Sequence, residues 1–345
     1  VQGVVFLGDR RIELREVPDP TPGPRDVVLE VKASGMCGTD LKLYHGDEMV
    51  KASGILGTCI GGHEPCGVVV EVGSLVSPSE AHVGQRVMVH HYRGCGVCSA
   101  CRAGWTQMCT RDPWVGYGYN VDGGHAKYIS VGATTLIPLP DELSFVAGAA
   151  IACGTGTAWG ALRRIGVDAT HSIAIYGQGP VGLSATLLAS ALGARVIALD
   201  VSEDRLARAR ELGASDTVNP TLTDPVEAIR TLTGGAGVDR ALDASGASTA
   251  RRQSVQSIRP FGAVAFVGEG GDVTFDVSAD LLRRQVALHG VWTFSLGEQE
   301  ACARFAADRG LDLDQLFTDR WRLEQASEAY ARFDSQTAGK GVFVF

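Results

Sequence analysis

The sequence predicts an α/β protein in two parts, one β-rich and one built as a doubly wound parallel sheet. Three observations carry this. Residues 1–150 hold short β-type runs broken by Gly and Pro. From about Cys153 buried strand patterns alternate with helical ones, as a parallel sheet with crossover helices requires. Within that alternation, Gly177-Gln-Gly179-Pro180-Val181-Gly182 follows a strand and opens a helix. The β-rich part is expected to span 1–153 and 292–345, and the parallel sheet 154–291.

Taken in order, the opening VQGVVFLGDRR reads as a strand, and its early charges argue against a signal peptide. Further strands are expected at Val27–Lys32, Gly67–Val72 and Arg86–His90, with PDPTPGPRD a turn-rich connection. In the second part SIAIYGQG is a buried strand and PVGLSATLLASALGA a helix with an apolar face. RVIALD and the charged helix SEDRLARARELGA follow. The pattern continues through DTVNP, DPVEAIRTLTG, VDRALDASG, STARRQSVQSI, GAVAFVG and VALHGVW. The last fifty residues carry one or two amphipathic helices and end in VFVF. That strand is expected to pair with the first part, since an exposed apolar edge invites aggregation.

At 345 residues, 45% hydrophobic and 20% charged, the chain can bury a full core. A net charge of −8 with no basic run argues against nucleic acid and anionic membrane as partners. No apolar run of about 18 residues is free of charge or turn residues, so no membrane span is expected. Nine cysteines without an export signal imply a reducing compartment, hence cytoplasm.

Four of those cysteines, Cys95, Cys98, Cys101 and Cys109, fall in GCGVCSACRAGWTQMC. Gaps of two, two and seven residues suit one tetrahedral zinc bound by four sulfurs. Neighbours three apart bridge poorly as disulfides, and common ferredoxin spacings differ. Such a site is closed to substrate, so it reads as a staple.

The glycine fingerprint points to a dinucleotide. Its first glycine permits the turn, the second admits the pyrophosphate, and the third allows close helix–strand packing. The helix start, with Pro180 and Val181, offers N–H groups to phosphate. Asp200 closes the next strand, where its carboxylate can accept ribose hydroxyls and repel a 2′-phosphate. That favours NAD(H) over NADP(H). Arg205 could bind a 2′-phosphate; its plainer reading is a solvated helix charge.

Cys37 in SGMCGTD, His63 in GGHEPCG and Cys153 in AIACGTG are unremarkable singly, as a small buried hydrophobe or a satisfied histidine. Together with Gly62-His63-Glu64-x-x-Gly67-x5-Gly73-x-x-Val76, the cysteine quartet and the fingerprint, they resemble the zinc-dependent medium-chain dehydrogenase/reductase (alcohol dehydrogenase) superfamily. The resemblance covers essentially the whole chain. It implies a GroES-like catalytic domain with a structural zinc lobe at about 94–110, a Rossmann NAD domain, and two zinc ions per chain. Cys37, His63 and Cys153 would ligate a catalytic zinc with a fourth position open to substrate. Glu64 would be a nearby or transient ligand, Asp40 the carboxylate orienting His63, and Thr39 the hydroxyl on the reacting oxygen.

The implied activity is reversible oxidoreduction of an alcohol and its ketone or aldehyde with NAD(H), in a homodimer or homotetramer joined near Val286–Trp292. Zinc-free C=C or quinone reduction and a non-catalytic cofactor-binding role are the alternatives, and the retained ligand set speaks against both. The chain departs from the family at Lys42, where many members place a relay histidine; His45 could substitute. Gly38 stands where some members carry a phosphate-binding arginine, and Lys340 resembles a second cationic phosphate contact. His91, Trp114 and Trp292 are implied to line the substrate pocket. Cys59, Cys66 and Cys302 read as structural.

Overall fold

Asp26–Gly35 is the spine of the first part of the chain: a ten-residue strand, bulged at Val28/Leu29 and Val31/Ala33, that is paired on both edges. The computed structural model describes residues 1–113, 115–335 and 338–345. It divides into two compact units, Val1–Gly156 with Phe294–Phe345, and Thr157–Thr293.

In the first unit a hairpin, Gln2–Gly8 with Arg11–Glu16, turns through Asp9 and Arg10, both at positive φ as a tight two-residue turn demands. The main sheet has the order Phe317–Trp321, Lys340–Val344, Asp26–Gly35, Glu64–Val72, Arg86–Val89 and Leu136–Pro138, with Tyr128–Gly132 also paired to the spine. The apolar C-terminal strand joins the spine antiparallel through Val342↔Gly35, and Val342 and Phe343 are fully buried there. One core cluster packs valines of the spine and its neighbours, such as Val27, Val31, Val69 and Val87. Another gathers Phe6, Met36, Tyr44, Tyr330 and Phe343.

Two helices, Gly38–His45 and Glu48–Ser53, follow the spine, where no helix is read from the sequence. Helix Phe145–Ala150, capped by Ser144, runs into a π-helical turn at Ile151–Thr155. The continuous helical stretch Phe145–Arg164 is long and apolar enough, by length and composition, to cross a membrane. In its hydrophobic window 89% of the residues are buried in the protein, as in a core helix.

The second unit is a six-stranded parallel sheet in the order Asp216–Val218, Arg195–Leu199, Ser172–Tyr176, Val238–Asp243, Ile258–Phe266 and Ala287–Gly290. Its order turns back at Ser172–Tyr176, the first strand, so the crevice at that strand's C-terminal end is the switch point of a Rossmann fold. The fold is therefore α/β with the doubly wound sheet the alternation predicts. Ala287–Gly290 is an edge strand, its residues half-buried to exposed.

Candidate active site

The first-unit site is assembled by the register of three strands. Gly35 ends the spine opposite Glu64 on one side and Val342 on the other. The chain leaves the spine into Cys37, which caps helix Gly38–His45, while His63 immediately precedes the Glu64 strand. Cys153 arrives on the π-helical turn. Ligand atoms of Cys37, His63, Glu64 and Cys153 all lie within 4.8 Å of one another. Cys37 Sγ and Cys153 Sγ are 3.9 Å apart.

Asp40 organises this cluster from inside the helix. Its Oδ2 accepts the Cys37 N–H at 2.8 Å, and its Oδ1 lies 3.0 Å from His63 Nδ1. With Nδ1 engaged, His63 is left to offer Nε2. Thr39 is half-buried in the first turn, its Oγ1 4.0 Å from Cys37 Sγ.

The electrostatics call for a cation. The hydrogen bond from Cys153, helped by His63, holds the Cys37 thiol well below its ordinary value despite burial. The same bond, burial and the Cys37 charge push Cys153 well above its own. Two thiolates this close repel, so a divalent ion between them is what lets both ionise. Burial lowers His63, but Asp40 and Cys37 outweigh it and raise the imidazole. Burial also pushes Glu64 up to about 8 against the pull of Lys340. Its buried Oε2 has no hydrogen-bond donor in good geometry.

Lys340, expected as a phosphate contact, has partners within the first unit: its Nζ is buried, 2.7 and 2.6 Å from the Glu64 oxygens, and donates to Met36 O at 2.9 Å. A buried ammonium is stable only when its donors are spent in this way. Gly35 makes the pair possible, since a Cβ there would lie 1.9 Å from Glu64 Oε2. His45 is likewise committed: its Nε2 is 2.6 Å from Asp334 Oδ1, which speaks against a relay role.

Of the pocket candidates, His91 is buried beside His63, ring centroids 5.2 Å apart, with Nδ1 on Ala152 O at 2.9 Å. Burial and the two neighbouring histidines hold it well below the ordinary value, so it is neutral and presents Nε2 as an acceptor. Trp292 belongs to the second unit and is 39% exposed, and Trp114 lies outside the described residues.

The four-cysteine lobe forms a second cluster, again with all ligand atoms within 4.8 Å. The Cys98 N–H points at Cys95 Sγ, and the Cys95 and Asp112 N–H groups at Cys109 Sγ. Such backbone donors favour thiolates: those of Cys101 and Thr110 draw Cys98 down to about 6, while burial raises Cys101 to about 12. None of the nine cysteines is paired in a disulfide. Cys66 and Cys302 are buried and Cys59 is half-buried, and burial pushes all three thiols up.

In the second unit Gly177 adopts φ +89°, and a Cβ on Gly182 would stand 1.8 Å from Gly177 O. Gly179 caps helix Pro180–Ala191 without a side-chain bond, and no atom crowds its Cβ position. The helix start therefore keeps free N–H groups and open space for an anion. Asp200 accepts the Gln178 and Ser202 N–H groups, leaving lone pairs on a carboxylate that can take more. Arg205 approaches it to 3.9 Å and is not the solvated charge the plainer reading expects.

Comparison with known proteins places these features in a family. Residues 23–141 match the alcohol dehydrogenase GroES-like domain and residues 180–308 the zinc-binding dehydrogenase domain. The chain is 40% identical over 344 residues to the uncharacterized zinc-type alcohol dehydrogenase-like protein YphC of Escherichia coli K12, covering 98% of this chain and 97% of that one. It belongs to the zinc-type alcohol dehydrogenase family.

L-threonine 3-dehydrogenase of Symbiobacterium thermophilum is 33% identical over 96% of this chain and 93% of its own. Alcohol dehydrogenase TADH from Thermus sp. ATN1 superposes with a TM-score of 0.92 at 29% identity, covering 100% and 99% of the two chains. A Sinorhizobium meliloti 1021 protein described as a zinc-binding dehydrogenase, bound to NADP, gives 0.88 at 28% identity over 100% of this chain and 99% of that one. The family match supports an oxidoreductase that uses zinc and a nicotinamide cofactor.

Proposed function

We propose that this family member interconverts an alcohol and its ketone or aldehyde with NAD(H), using zinc held by Cys37, His63 and Cys153. The observation that carries the reading is the convergence of two thiols and an imidazole around one point in a buried site, with the Lys340-paired Glu64 carboxylate beside them. This donor set suits zinc and leaves a position for substrate. When bound, zinc supplies Lewis acidity at the substrate oxygen, and NAD accepts or returns the hydride.

The chain's own groups do the rest. Thr39 Oγ1 relays the proton of the reacting hydroxyl, releasing its own hydrogen toward solvent as it takes the substrate's, and the reverse in reduction. Asp40 keeps a proton on His63 Nδ1, so Nε2 remains a ligand. Glu64, neutralised by Lys340, limits the negative charge beside the thiolates. His91 Nε2 offers an acceptor to a second hydroxyl or an ammonium on the substrate.

The quartet Cys95, Cys98, Cys101 and Cys109 holds a second zinc that ties the lobe together. Replacing Cys98 with serine should lower the unfolding midpoint and remove one zinc per chain, with kcat in the remaining folded enzyme unchanged within about twofold. Loss of kcat at full stability would contradict a stapling role. The free edge at Ala287–Gly290 supports a homo-oligomer joined through that strand.

The substrate test is a spectrophotometric panel of simple alcohols, polyols, L-threonine, ketones and aldehydes with both NAD and NADP. A chelator-sensitive rate with at least one alcohol–carbonyl pair supports the proposal; turnover only of activated C=C bonds or quinones, insensitive to chelator, overturns it. Asp200 sets the cofactor preference by repelling a 2′-phosphate. Asp200→Asn keeps a hydrogen-bond acceptor and releases Arg205, so the NADP/NAD ratio of kcat/KM should rise about tenfold or more. An unchanged ratio would remove Asp200 from the selection.

A further inference from the structure

We infer that Ser34, His125 and Tyr330 form a one-way hydrogen-bond chain that positions Asp40, and through it the His63 imidazole, for metal binding. The inference rests on the proposed metal site at Cys37, His63 and Cys153, and it extends that site into residues that touch neither metal nor substrate.

Ser34 Oγ lies 2.8 Å from His125 Nδ1, and His125 Nε2 lies 2.6 Å from the Tyr330 hydroxyl. Tyr330 in turn neighbours Asp40: burial first, then the Asp40 carboxyl, holds the phenol well above its ordinary value. All four residues are fully buried. They come from four segments: the spine strand, the loop before Tyr128–Gly132, helix Ala326–Asp334 and helix Gly38–His45. With water excluded, the polar atoms must find their partners among one another.

The proton direction follows from this inventory. Asp40 already accepts from the Cys37 N–H and faces His63 Nδ1, so it serves as the charged acceptor of the group. A phenol beside it donates, because a charge-assisted bond is the stronger choice. The Tyr330 oxygen then accepts from His125 Nε2–H. Burial keeps His125 neutral, with a single N–H, so its Nδ1 accepts from the Ser34 hydroxyl. Every proton in the chain points toward Asp40. With Asp40 held in place by these neighbours, His63 keeps its hydrogen on Nδ1, and Nε2 is free to ligate.

The packing fixes the ring positions. Tyr330 meets Phe6 edge-on at 4.9 Å and 90°, and His125 meets Phe343 at 4.7 Å and 72°. Gly62, next to His63, adopts φ +85°, and a Cβ there would lie 2.2 Å from His125 Nδ1. The glycine before the ligand histidine thus makes room for the chain. Tyr330 is accordingly a positioning residue.

The test is zinc release from the loaded protein into a chromogenic chelator, with the four-cysteine lobe as an internal reference. Cys37→Ala identifies the phase that belongs to the dispersed site. Tyr330→Phe removes one oxygen and should speed that phase about tenfold while leaving the lobe phase unchanged. Ser34→Ala, at the far end, should speed it by a smaller factor. Equal acceleration of both phases in Tyr330→Phe would mean a general structural role and overturn the inference. An unchanged dispersed-site phase in Ser34→Ala would do the same, even if Tyr330→Phe failed to fold. If Cys37→Ala releases the same zinc in the same two phases as wild type, the metal-site reading itself fails, and the inference falls with it.

Discussion

Replacing Cys37 or His63 with alanine is expected to abolish turnover while NADH binding stays within about twofold of wild type. Both residues supply donor atoms to the cluster in the first unit, whereas the glycine fingerprint and Asp200 lie in the second. Lewis-acid stabilisation is worth several kcal/mol of barrier. At about 1.4 kcal/mol per decade, its loss should lower kcat/KM by roughly a thousandfold or more. Steady-state rates with the best substrate of the panel, set beside NADH fluorescence titration, check both halves. Near-wild-type rates in either variant would sink the proposed reaction. Lost NADH binding with intact zinc would instead point to misfolding of the second unit.

The second large effect is on stability. Lys340→Met removes the ammonium that lies 2.6 Å from the buried Glu64 Oε2. Breaking a buried pair by removing one partner costs about 3–5 kcal/mol, mostly the penalty of the stranded charge. Denaturant unfolding of the zinc-loaded protein should show a loss of that order. The double variant Lys340→Met with Glu64→Gln should recover most of it, because a neutral amide replaces the stranded carboxylate. A single variant as stable as wild type would mean that Glu64 is not held by Lys340. A double variant no better than the single would mean that Lys340 stabilises chiefly through its other bond, to Met36 O.

The parallel sheet was legible because its signals are local. Each buried strand and each helical stripe lies within one short segment, as in SIAIYGQG followed by PVGLSATLLASALGA. Helices Gly38–His45 and Glu48–Ser53 were not legible. Their sequence has weak apolar periodicity, and what holds them is tertiary: Leu43, Tyr44 and Val50 pack into the cluster of Phe6, Tyr330 and Phe343.

The site divides the same way. Four cysteines within fifteen residues announce a cluster by spacing alone. Cys37, His63 and Cys153 are joined only by strand register and a π-helical turn, so a family pattern was needed to group them. The Lys340–Glu64 pair is not legible because the sequence shows a cation near a terminal strand but not the carboxylate it meets 276 residues away. Tyr330, His125 and Ser34 carried no signal of their own. A lone tyrosine, histidine or serine reads as ordinary core until the fold brings the three together beside Asp40.

Zinc content per chain, by elemental analysis of purified wild type and Cys37→Ala, tests the central claim most directly. The proposed metal sites predict two zinc ions in wild type and one in the variant, with the lobe zinc retained. Equal zinc in both proteins would contradict a metal at Cys37, His63 and Cys153.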